Sequence, residues 1–414
     1  MIAISRLIAC AVLRRIGVGS LIVAEPGRRH RFGTGHPAAV VDLHDPRVWR
    51  MVLLRGSRGL ADAYERGMWD SPDLVALIRL GALNAARLDR VRAMLAPLSM
   101  PARMIRVIVR RSTRGRRRRD IAAHYDLGTD LFERMLDPTL SYSCAVFEHD
   151  HATLEEAQIA KLERVCEKLD LGPDDRLLEI GTGWGALAIH AATTRGCHVT
   201  TTTISREQYR HAVSLVKRAG LADRVTVLME DYRDLTGSYD KLVSIEMIEA
   251  VGWRHYGAFF RKCSQLLAPD GAMLLQAITI DDRAYEVEKA AKSFINTRIF
   301  PGGCLPSLEV ITRNVARRTD MQAVHLEDIT AHYVETLRRW RHRFFASAPE
   351  LAQLGYDGRF RRLWTLYLAY CEAGFAERRI CDLQLLLTKP RWRAPVGRPG
   401  LGRAALDLAG EGAA

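Results

Sequence analysis

Short apolar runs alternate with helix-like stretches in the part of the chain that follows residue 120. Apolar residues at helical spacing predict a helix over 154–169, and Ser205 with Gln208 three positions later is typical of a helix N-terminus. The five runs that we predict as strands are Arg176–Ile180, His198–Thr203, Val225–Met229, Lys241–Ile245 and, after a turn at 269–271, Ala272–Ala277. This alternation predicts an α/β fold with a doubly wound, mostly parallel sheet that binds ligands at the carboxyl ends of its strands.

The first hundred residues have a different pattern, in which short strand-like runs precede helical stretches. We expect strands at Ser20–Ala24 and Ala39–Leu43, and helices at Val48–Ser57 and Pro72–Asn84. A separate helical block is expected from Asp328 to Arg378, beyond the α/β pattern. The chain is therefore long enough, and varied enough, for more than one domain.

The charge of the chain favours an anionic partner. Nine arginines lie from Arg103 to Arg119, and the 414 residues carry a formal net charge of +13. Such a run is typical of a solvated linker and is also suited to docking on anionic lipid headgroups. Nucleic acid is disfavoured as a partner, because no aromatic residues are interleaved with the arginines to stack bases.

The N-terminus and the cysteines both bear on where the chain resides. The apolar run Leu7–Leu13 is too short to span a bilayer and has arginines on both sides, so we expect an amphipathic first helix. Eight cysteines without CxxC pairs favour reduced thiols over a disulfide framework, and no metal site is expected. These features predict a cytoplasmic protein that associates peripherally with the inner membrane, with a homodimer as one alternative for its assembly.

A glycine-rich turn follows the first predicted strand of the α/β part. Gly181, Gly183 and Gly185 alternate with other residues, and a helix is expected to begin at Ala186. Glycines allow a ligand to approach the backbone, and free N–H groups at the start of a helix favour a polar or anionic group. An NAD site would have a carboxylate about 20 residues later, but 198–205 contain none, which disfavours a dehydrogenase.

Further residues that follow the predicted strands occur in a specific order. The ordered motifs are Tyr142-Ser143-Cys144, the glycine turn, Thr203-Ile204-Ser205 with Gln208, Asp231 to Asp234, Ser244 to Gly252, Gln276-Ala277-Ile278, Phe300 to Gly303, His332-Tyr333 with Thr336 and Trp340, and Tyr370-Cys371. In this order and spacing, the chain resembles the cyclopropane-fatty-acyl-phospholipid synthase family, which includes the mycolic acid cyclopropane synthases. The resemblance covers Ile121 to Arg391 and extends more weakly to the segment between Gly59 and Trp69.

The resemblance implies a Rossmann-like class I methyltransferase that uses S-adenosylmethionine. Its substrate would be the double bond of an unsaturated acyl chain in a phospholipid of an anionic membrane surface. The cofactor-binding candidates are Tyr142, Ser143, Glu179, Gly181, Gly183, Gly185, Thr203, Gln208, Asp231 and Tyr232. By this resemblance Tyr142 contacts the methionine part, Gln208 lies at the ribose and Tyr232 flanks the adenine.

The resemblance also assigns a role to each predicted domain. The expected division is a small α+β N-terminal domain that docks lipid (1–100), a basic linker (101–120), a methyltransferase domain with an added C-terminal helical region (121–392) and a flexible tail (393–414). The linker would add electrostatic attraction to the membrane surface.

The implied reaction makes strict demands on the site. Methyl transfer to an isolated alkene leaves a carbocation, which needs a dry site with charge-stabilising groups. A base must then remove a proton from the new methyl group so that the ring closes, and the resemblance implies a bound bicarbonate in this role. The catalytic candidates are Cys144, Glu249, Gln276, Ile278, Tyr333 and Cys371.

Some of these residues leave alternatives open. Many family members have histidine where Ala250 and Gln276 stand, and glutamine can donate to an anion but cannot take up a proton. Similar enzymes leave a methylene or methyl branch without closing a ring, so both products stay open. Cys371 lies in an apolar helical stretch that favours a neutral, packed thiol, and Glu246 either supports the cofactor loop or belongs to a buried polar cluster.

Two further functions compete with these. A methyltransferase for a soluble amine or hydroxyl would share the cofactor site but would not need Cys144, Glu249 and Tyr333. A lipid-binding protein without catalysis would not need the intact glycine turn.

Overall fold

The computed structural model describes residues 2–85, 128–289 and 291–393. The chain forms two compact units. The first comprises Met1–His124, Ala290–Gly302 and Tyr333–Ile380, and the second comprises Tyr125–Lys289, Gly303–His332 and Cys381–Ala414. This division differs from the sequence-based one, because most of the C-terminal helical block belongs to the same unit as the N-terminal residues. The linker expected at 101–120 and the tail from 394 onward lie outside the described residues.

The N-terminal part of the first unit is a four-stranded sheet with helices. Its elements are α1 (Ile2–Leu13), β1 (Gly19–Glu25), β2 (Arg28–Thr34), β3 (Ala38–Leu43), α2 (Arg47–Arg55), α3 (Ser57–Glu65), β4 (Trp69–Asp70) and α4 (Leu74–Leu83). The strand order is β2-β1-β3-β4, with β1 antiparallel to β2 and parallel to β3. The strands and helices predicted here are present with similar bounds. Strand β2 was not predicted, because Phe32 is its one buried residue and its other side chains are polar or exposed.

A seven-stranded sheet forms the centre of the second unit. Its strands are β5 (Arg176–Ile180), β6 (His198–Thr202), β7 (Val225–Leu228), β8 (Tyr239–Ile245), β9 (Leu267–Ile280), β10 (Gln322–Asp328) and β11 (Ile380–Thr388), in the order β10-β11-β9-β8-β5-β6-β7. The pairs β9·β8, β8·β5, β5·β6 and β6·β7 are parallel, whereas β10 and β11 are antiparallel to each other. The chain therefore winds outward from β5 in both directions, which confirms the doubly wound, mostly parallel α/β fold.

Eight helices precede β10 in the described part of this unit. They are α5 (Thr129–Met135), α6 (Leu154–Leu169), α7 (Ala186–Arg195), α8 (Arg206–Arg218), α9 (Ile248–Val251), α10 (Tyr256–Leu266), α11 (Asp282–Glu288) and α12 (Leu308–Arg318). The Thr153 hydroxyl and the Glu156 carboxylate each accept from the other residue's backbone N–H, so a capping box starts α6. Ser205 Oγ accepts from the Gln208 N–H at 3.3 Å, which confirms the predicted start of α8.

Both faces of the sheet are buried. Leu177 and Leu178 are adjacent in β5 but belong to two different hydrophobic clusters, as do Leu242 and Val243 in β8. Since successive side chains of a strand point to opposite faces, helices must cover the sheet on both sides. Two-sided burial explains why the central strands appear in the sequence as short apolar runs.

Strand β9 begins earlier than predicted. Tyr239 of β8 pairs with Leu267, and the next pair is Lys241 with Ala272. Four residues of β9, 268–271, therefore lie opposite a single residue of β8, and the predicted turn is an irregularity within the strand. The sequence pattern could not distinguish this bulge from a turn, because Pro269 and Gly271 are typical of both.

The C-terminal helical block contains three helices. They are α13 (Thr330–Ala346), α14 (Ala348–Gln353) and α15 (Gly358–Ala376), and a π-helix covers Ile295–Ile299. The block was expected to start at Asp328, but that residue ends β10, which was not predicted. Among the described residues, no helix combines the length and the apolar character needed to span a bilayer.

Candidate active site

The predicted site residues of the second unit follow the carboxyl ends of neighbouring parallel strands. Gly181 follows β5, Thr203 follows β6 and Glu246 follows β8, while Gln276 and Ile278 lie near the end of β9. Parallel strands bring these ends to one edge of the sheet, where ligands bind in open α/β folds. The sequence-based placement of the site at this edge is therefore consistent with the fold.

The three glycines after β5 have positive φ angles but differ in their surroundings. Gly181, Gly183 and Gly185 have φ of 105°, 53° and 98°. A Cβ at Gly181 would lie 3.3 Å from Met247 Cγ, and one at Gly185 would lie 3.3 Å from Ala212 Cβ. A Cβ at Gly183 would have no atom of the described residues within 4 Å, so this glycine faces open space in the described part of the chain. The turn thus leaves backbone accessible at Gly183, as a cradle for a ligand requires.

A buried polar group lies behind this turn. The Thr201 hydroxyl donates to Glu179 Oε2 at 2.6 Å, and burial raises the pKa of Glu179 to about 8. Lys161 is 2 % exposed, burial lowers its pKa, and its ammonium donates to Ser143 Oγ at 3.0 Å. Gln158 donates to the Ser143 carbonyl at 2.9 Å, so the position of Ser143 is fixed from two sides.

The residue pair expected at the ribose is already joined. The Thr203 hydroxyl donates to Gln208 Oε1 at 2.8 Å and accepts from the Ser205 N–H at 3.1 Å. Both Thr203 and Gln208 are buried. These bonds orient the Gln208 carboxamide before a ligand binds. Its NH₂ group can donate hydrogen bonds, for example to a hydroxyl group of a ligand.

The aromatic and acidic candidates have defined neighbours. Arg233 donates from Nε to Asp231 Oδ1 at 2.7 Å and also binds Oδ2 through Nη2. The ring of Tyr232 meets Phe259 edge-on, with 5.5 Å between centroids. Tyr142 contacts Phe132 in the same manner at 5.1 Å. These contacts hold both tyrosines in place by packing.

Trp184 is a site candidate that was not singled out from the sequence. Its indole Nε1 is buried and has no hydrogen-bond partner among the described residues. Buried indole N–H groups are normally paired, and this one belongs to the same turn as Gly183. An orphaned donor beside the open glycine is compatible with a ligand that accepts a hydrogen bond there.

Two carboxyl groups and a second glutamine side chain surround Gln276. Its Nε2 donates to Glu246 Oε1 and to Asp382 Oδ2, each at 2.9 Å, and its Oε1 accepts from Gln384 Nε2 at 3.0 Å. Both amide hydrogens of Gln276 are therefore used inside the protein. The expectation that this side chain donates to an anion is thus not supported by its hydrogen bonds.

Glu246 and Asp382 share this environment. Glu246 has a left-handed backbone with φ of 47°, and its Oε1 also accepts from the Cys144 N–H at 2.8 Å. Burial and the nearby charges of Glu246 and Glu249 hold the pKa of Asp382 well above its ordinary value. The environment therefore favours the neutral form of Asp382, and Glu246 belongs to a buried polar cluster that reaches Cys144.

Glu249 is held at one oxygen only. Its Oε1 accepts from the Ile278 N–H at 2.6 Å, whereas its Oε2 is buried and has no hydrogen-bond partner among the described residues. Burial and the charge of Glu246 raise the pKa of Glu249 to about 8. A carboxyl group in this state can take or give a proton near neutral pH.

The cysteine and tyrosine candidates divide between the two units. Cys144 is buried in the second unit, and its thiol donates to the Ala145 carbonyl at 3.2 Å. Tyr333 and Cys371 belong to the first unit, where Tyr333 stacks on Phe375 with 4.2 Å between centroids. Burial raises the pKa of Cys371 to about 12, so its thiol stays neutral and is a poor nucleophile at pH 7.

Sequence reasoning missed the residues that hold the candidates in place. Asp382 and Gln384 lie at alternate positions of β11, and both are fully buried. In the sequence, these two polar residues stand within a run of apolar ones. A strand predicted over 380–388 would have placed both side chains on the same face of the sheet. Among the described residues, no group of three or more histidine, cysteine or acidic side chains is arranged to hold a metal ion.

Comparisons with known proteins show the family of the chain. Residues 112–385 match the family model described as mycolic acid cyclopropane synthetase. The chain is 40 % identical to the tuberculostearic acid methyltransferase UfaA1 of Mycobacterium tuberculosis, over 79 % of this chain and 77 % of that protein. It is 37 % identical to the cyclopropane-fatty-acyl-phospholipid synthase of Escherichia coli, over 85 % and 87 %.

A solved structure of a mycolic acid cyclopropane synthase has a similar fold. The mycolic acid cyclopropane synthase CmaA1, complexed with SAH and CTAB, is similar with a TM-score of 0.61 at 33 % identity. The similarity covers 66 % of this chain and 98 % of that one.

Proposed function

We propose that this chain, which belongs to the mycolic acid cyclopropane synthetase family and is an S-adenosylmethionine-dependent methyltransferase, acts on the cis double bond of an unsaturated acyl chain in a membrane phospholipid. The proposed product is a cyclopropane ring. The observation that carries this proposal is Glu249 Oε2, a buried carboxyl oxygen that has no hydrogen-bond partner among the described residues and lies at the same sheet edge as the open glycine turn. A proton acceptor beside a methyl-donor site is what ring closure requires.

The residues around the glycine turn fit S-adenosylmethionine. Gly183 offers open backbone, the bonded pair of Thr203 and Gln208 suits the hydroxyl groups of a ribose, and Tyr232 offers an aromatic face for an adenine. When bound, S-adenosylmethionine supplies an electrophilic methyl group on a sulfonium. Ser143, fixed by Lys161 and Gln158, and Tyr142 would hold its methionine part.

The polar cluster at the end of β8 organises the catalytic side chains. Glu246 accepts from the Cys144 N–H and from Gln276, and this ties the segment around Cys144 to the ends of β8 and β9. The Ile278 N–H fixes Glu249 so that Oε2 remains for proton transfer. Tyr333 and Cys144 stay part of the proposed catalytic set on the family resemblance alone, and the neutral thiol of Cys371 supports a packing role.

A branched product is the second candidate. It is favoured by Gln276, whose amide hydrogens are both committed and which cannot act as a base. The 40 % identical relative is named as a tuberculostearic acid methyltransferase. Loss of a proton after a hydride shift would leave a methylene branch, and a saturated methyl branch would need a reductant as well.

Surface features of the first unit support docking on lipid. Helix α1 buries Ser5 and exposes Ile4 and Leu7, which are 61 % and 68 % exposed. An apolar outward face is costly in water and favourable at a bilayer interface. The arginines of β2, which are exposed, would complement anionic headgroups, so the N-terminal domain is the proposed lipid-docking part of the protein.

Expression in a bacterial host without its own synthase tests the proposal. The fatty acid methyl esters of the host are analysed by gas chromatography and mass spectrometry, before and after mild hydrogenation. We expect an acyl species heavier by one CH₂ unit that resists hydrogenation, because rings reduce less readily than alkenes. A species that hydrogenation converts would establish the branched product instead, and an unchanged lipid profile would contradict both.

A further inference from the structure

We propose that Glu249 itself accepts the proton that leaves the substrate cation, so that this chain needs no bound bicarbonate for the step. The inference rests on the proposed function, since it concerns the base of the same reaction.

The second unit provides three groups that could hold a small anion at the positions implied by the family resemblance. These are the backbone N–H groups of Cys144 and Ile278 and the side-chain amide of Gln276. An anion in a buried site must receive several such hydrogen bonds, because burial without them costs several kcal/mol of solvation. The availability of these donors therefore decides whether bicarbonate fits.

Each of these donors is already bound to a carboxyl group of the protein. The Cys144 N–H donates to Glu246 at 2.8 Å, and the Ile278 N–H donates to Glu249 at 2.6 Å. Gln276 donates one hydrogen to Glu246 and the other to Asp382. A bicarbonate would have to displace these internal acceptors, and the donors of the second unit do not fit it as they stand.

The charge of the site also opposes a further anion. The charge of Glu246 raises the pKa of Glu249, and the charges of Glu246 and Glu249 raise the pKa of Asp382. Among the described residues, Lys161 has a pKa that the charge of Glu246 raises and that burial lowers. Its side chain donates a hydrogen bond to Ser143 Oγ. Bicarbonate would add a negative charge beside Glu249 and Asp382, and the raised pKa values of these two groups show that they already resist ionisation.

Glu249 has the geometry of the base itself. Its Oε1 is anchored by the Ile278 N–H, and its Oε2 is buried without a partner among the described residues. In the proposed step a C–H bond of the transferred methyl group breaks, its electron pair forms the third C–C bond of the ring at the cationic carbon, and the proton forms an O–H bond at Oε2. For a methylene product the same C–H pair forms the new double bond.

The pH dependence of product formation reports on the protonation state of Glu249 and can be measured without bicarbonate. Glu246 faces Glu249 from the end of β8, Asp382 from β11 and Tyr256 from α10, while the Cys304 N–H donates to the Glu249 carbonyl. With a pKa of about 8, Glu249 is mostly protonated at neutral pH. Product formation should therefore rise with pH through this value, because the carboxylate is the active form.

The test uses the purified full-length chain with vesicles of an unsaturated anionic phospholipid and S-adenosylmethionine. Initial rates of product formation are measured in CO₂-free buffer, with and without added sodium bicarbonate, at the same pH and ionic strength. We expect the two rates to agree within about twofold. A rate that falls about tenfold or more without bicarbonate, and returns when it is added, would overturn the assignment.

Variants and a binding measurement complete the test. Glu249→Gln should lower product formation by about a hundredfold or more, whereas Glu309→Gln, the same change at an exposed residue of α12, should leave it unchanged. Circular dichroism confirms that both variants fold. Carbon-13 NMR of labelled bicarbonate should show no saturable binding to the wild-type protein, and saturable binding that Glu249→Gln abolishes would refute the proposal.

The outcomes separate this inference from the function on which it rests. An enzyme that forms modified acyl chains only with bicarbonate refutes the assignment of the base and leaves the proposed function intact. An enzyme that releases no S-adenosylhomocysteine in either buffer refutes the proposed function, and the inference falls with it.

Discussion

Gly183 offers a direct test of the cofactor site, because Gly183→Ala adds one methyl group at a defined place. The residue has φ of 53°, and no atom within the ranges that the structure describes would lie within 4 Å of the new Cβ. The left-handed backbone costs alanine about 1–2 kcal/mol relative to glycine, so a modest loss of unfolding free energy is expected. No steric clash with the described residues adds to this cost.

The effect on the ligand should be larger than this change in stability would suggest. If the open space at Gly183 is where the cofactor approaches the backbone, the added methyl group overlaps with it. We expect the Kd for S-adenosylmethionine to rise at least about tenfold, which corresponds to ~1.4 kcal/mol of binding free energy. Isothermal titration calorimetry with the full-length chain measures the Kd, and urea unfolding measures the stability.

Gly220→Ala is the matched control. Gly220 also has positive φ, 68°, and a Cβ there would likewise have no neighbour within 4 Å in the described part of the chain. It follows α8 and lies away from the carboxyl ends of the strands, so the same backbone cost should appear without a loss of binding. Equal affinities of the two variants for S-adenosylmethionine would refute the assignment of the glycine turn to the cofactor.

Three further changes test the roles of single side chains. Cys371→Ala should retain product formation within about twofold, because the neutral thiol has no chemical role; a loss of about a hundredfold would contradict this. Arg362→Lys should destabilise the first unit by about 2 kcal/mol in urea unfolding, since Arg362 lies 4.1 Å from the Tyr64 ring centroid and donates to the Trp69 carbonyl at 2.9 Å; unchanged unfolding would refute that reasoning. Glu249 has a folded-state pKa of about 8 against an ordinary 4.5, so its neutral form contributes stability that is fully present below 4.5 and is lost as pH rises toward 8. Thermal unfolding of Glu249→Gln should therefore show a stability relative to wild type that increases across this window, and a pH-independent difference would contradict the raised pKa.

Much of the α/β fold was predictable because its central strands are buried on both faces. Two-sided burial produces short apolar runs, and the predicted strand Arg176–Ile180 coincides with β5. Strands β2 and β10 were missed because most of their side chains are exposed, so neither an apolar run nor a strict alternation marks them. Strand β11 carries polar residues at buried positions, and its partners come from distant parts of the chain.

The site was predictable only as far as its residues form local motifs. The glycine turn, the pair of Thr203 with Gln208 and the position of Glu249 could be predicted because each belongs to a motif at the end of a strand. The commitment of both Gln276 hydrogens could not, because Asp382 lies more than a hundred residues away in sequence. Long-range hydrogen bonds of this kind leave no periodic signal, and they decide which donors remain for a ligand.

The central claim is that the chain transfers a methyl group to an unsaturated acyl chain. It is tested most directly by incubating the purified protein with vesicles of a cis-monounsaturated phospholipid and S-adenosylmethionine that carries a fully deuterated methyl group. We predict that mass spectrometry of the released acyl chains finds the added carbon with two of its three deuterium atoms, the third having been lost to the base. Acyl chains that remain unlabelled would contradict the account.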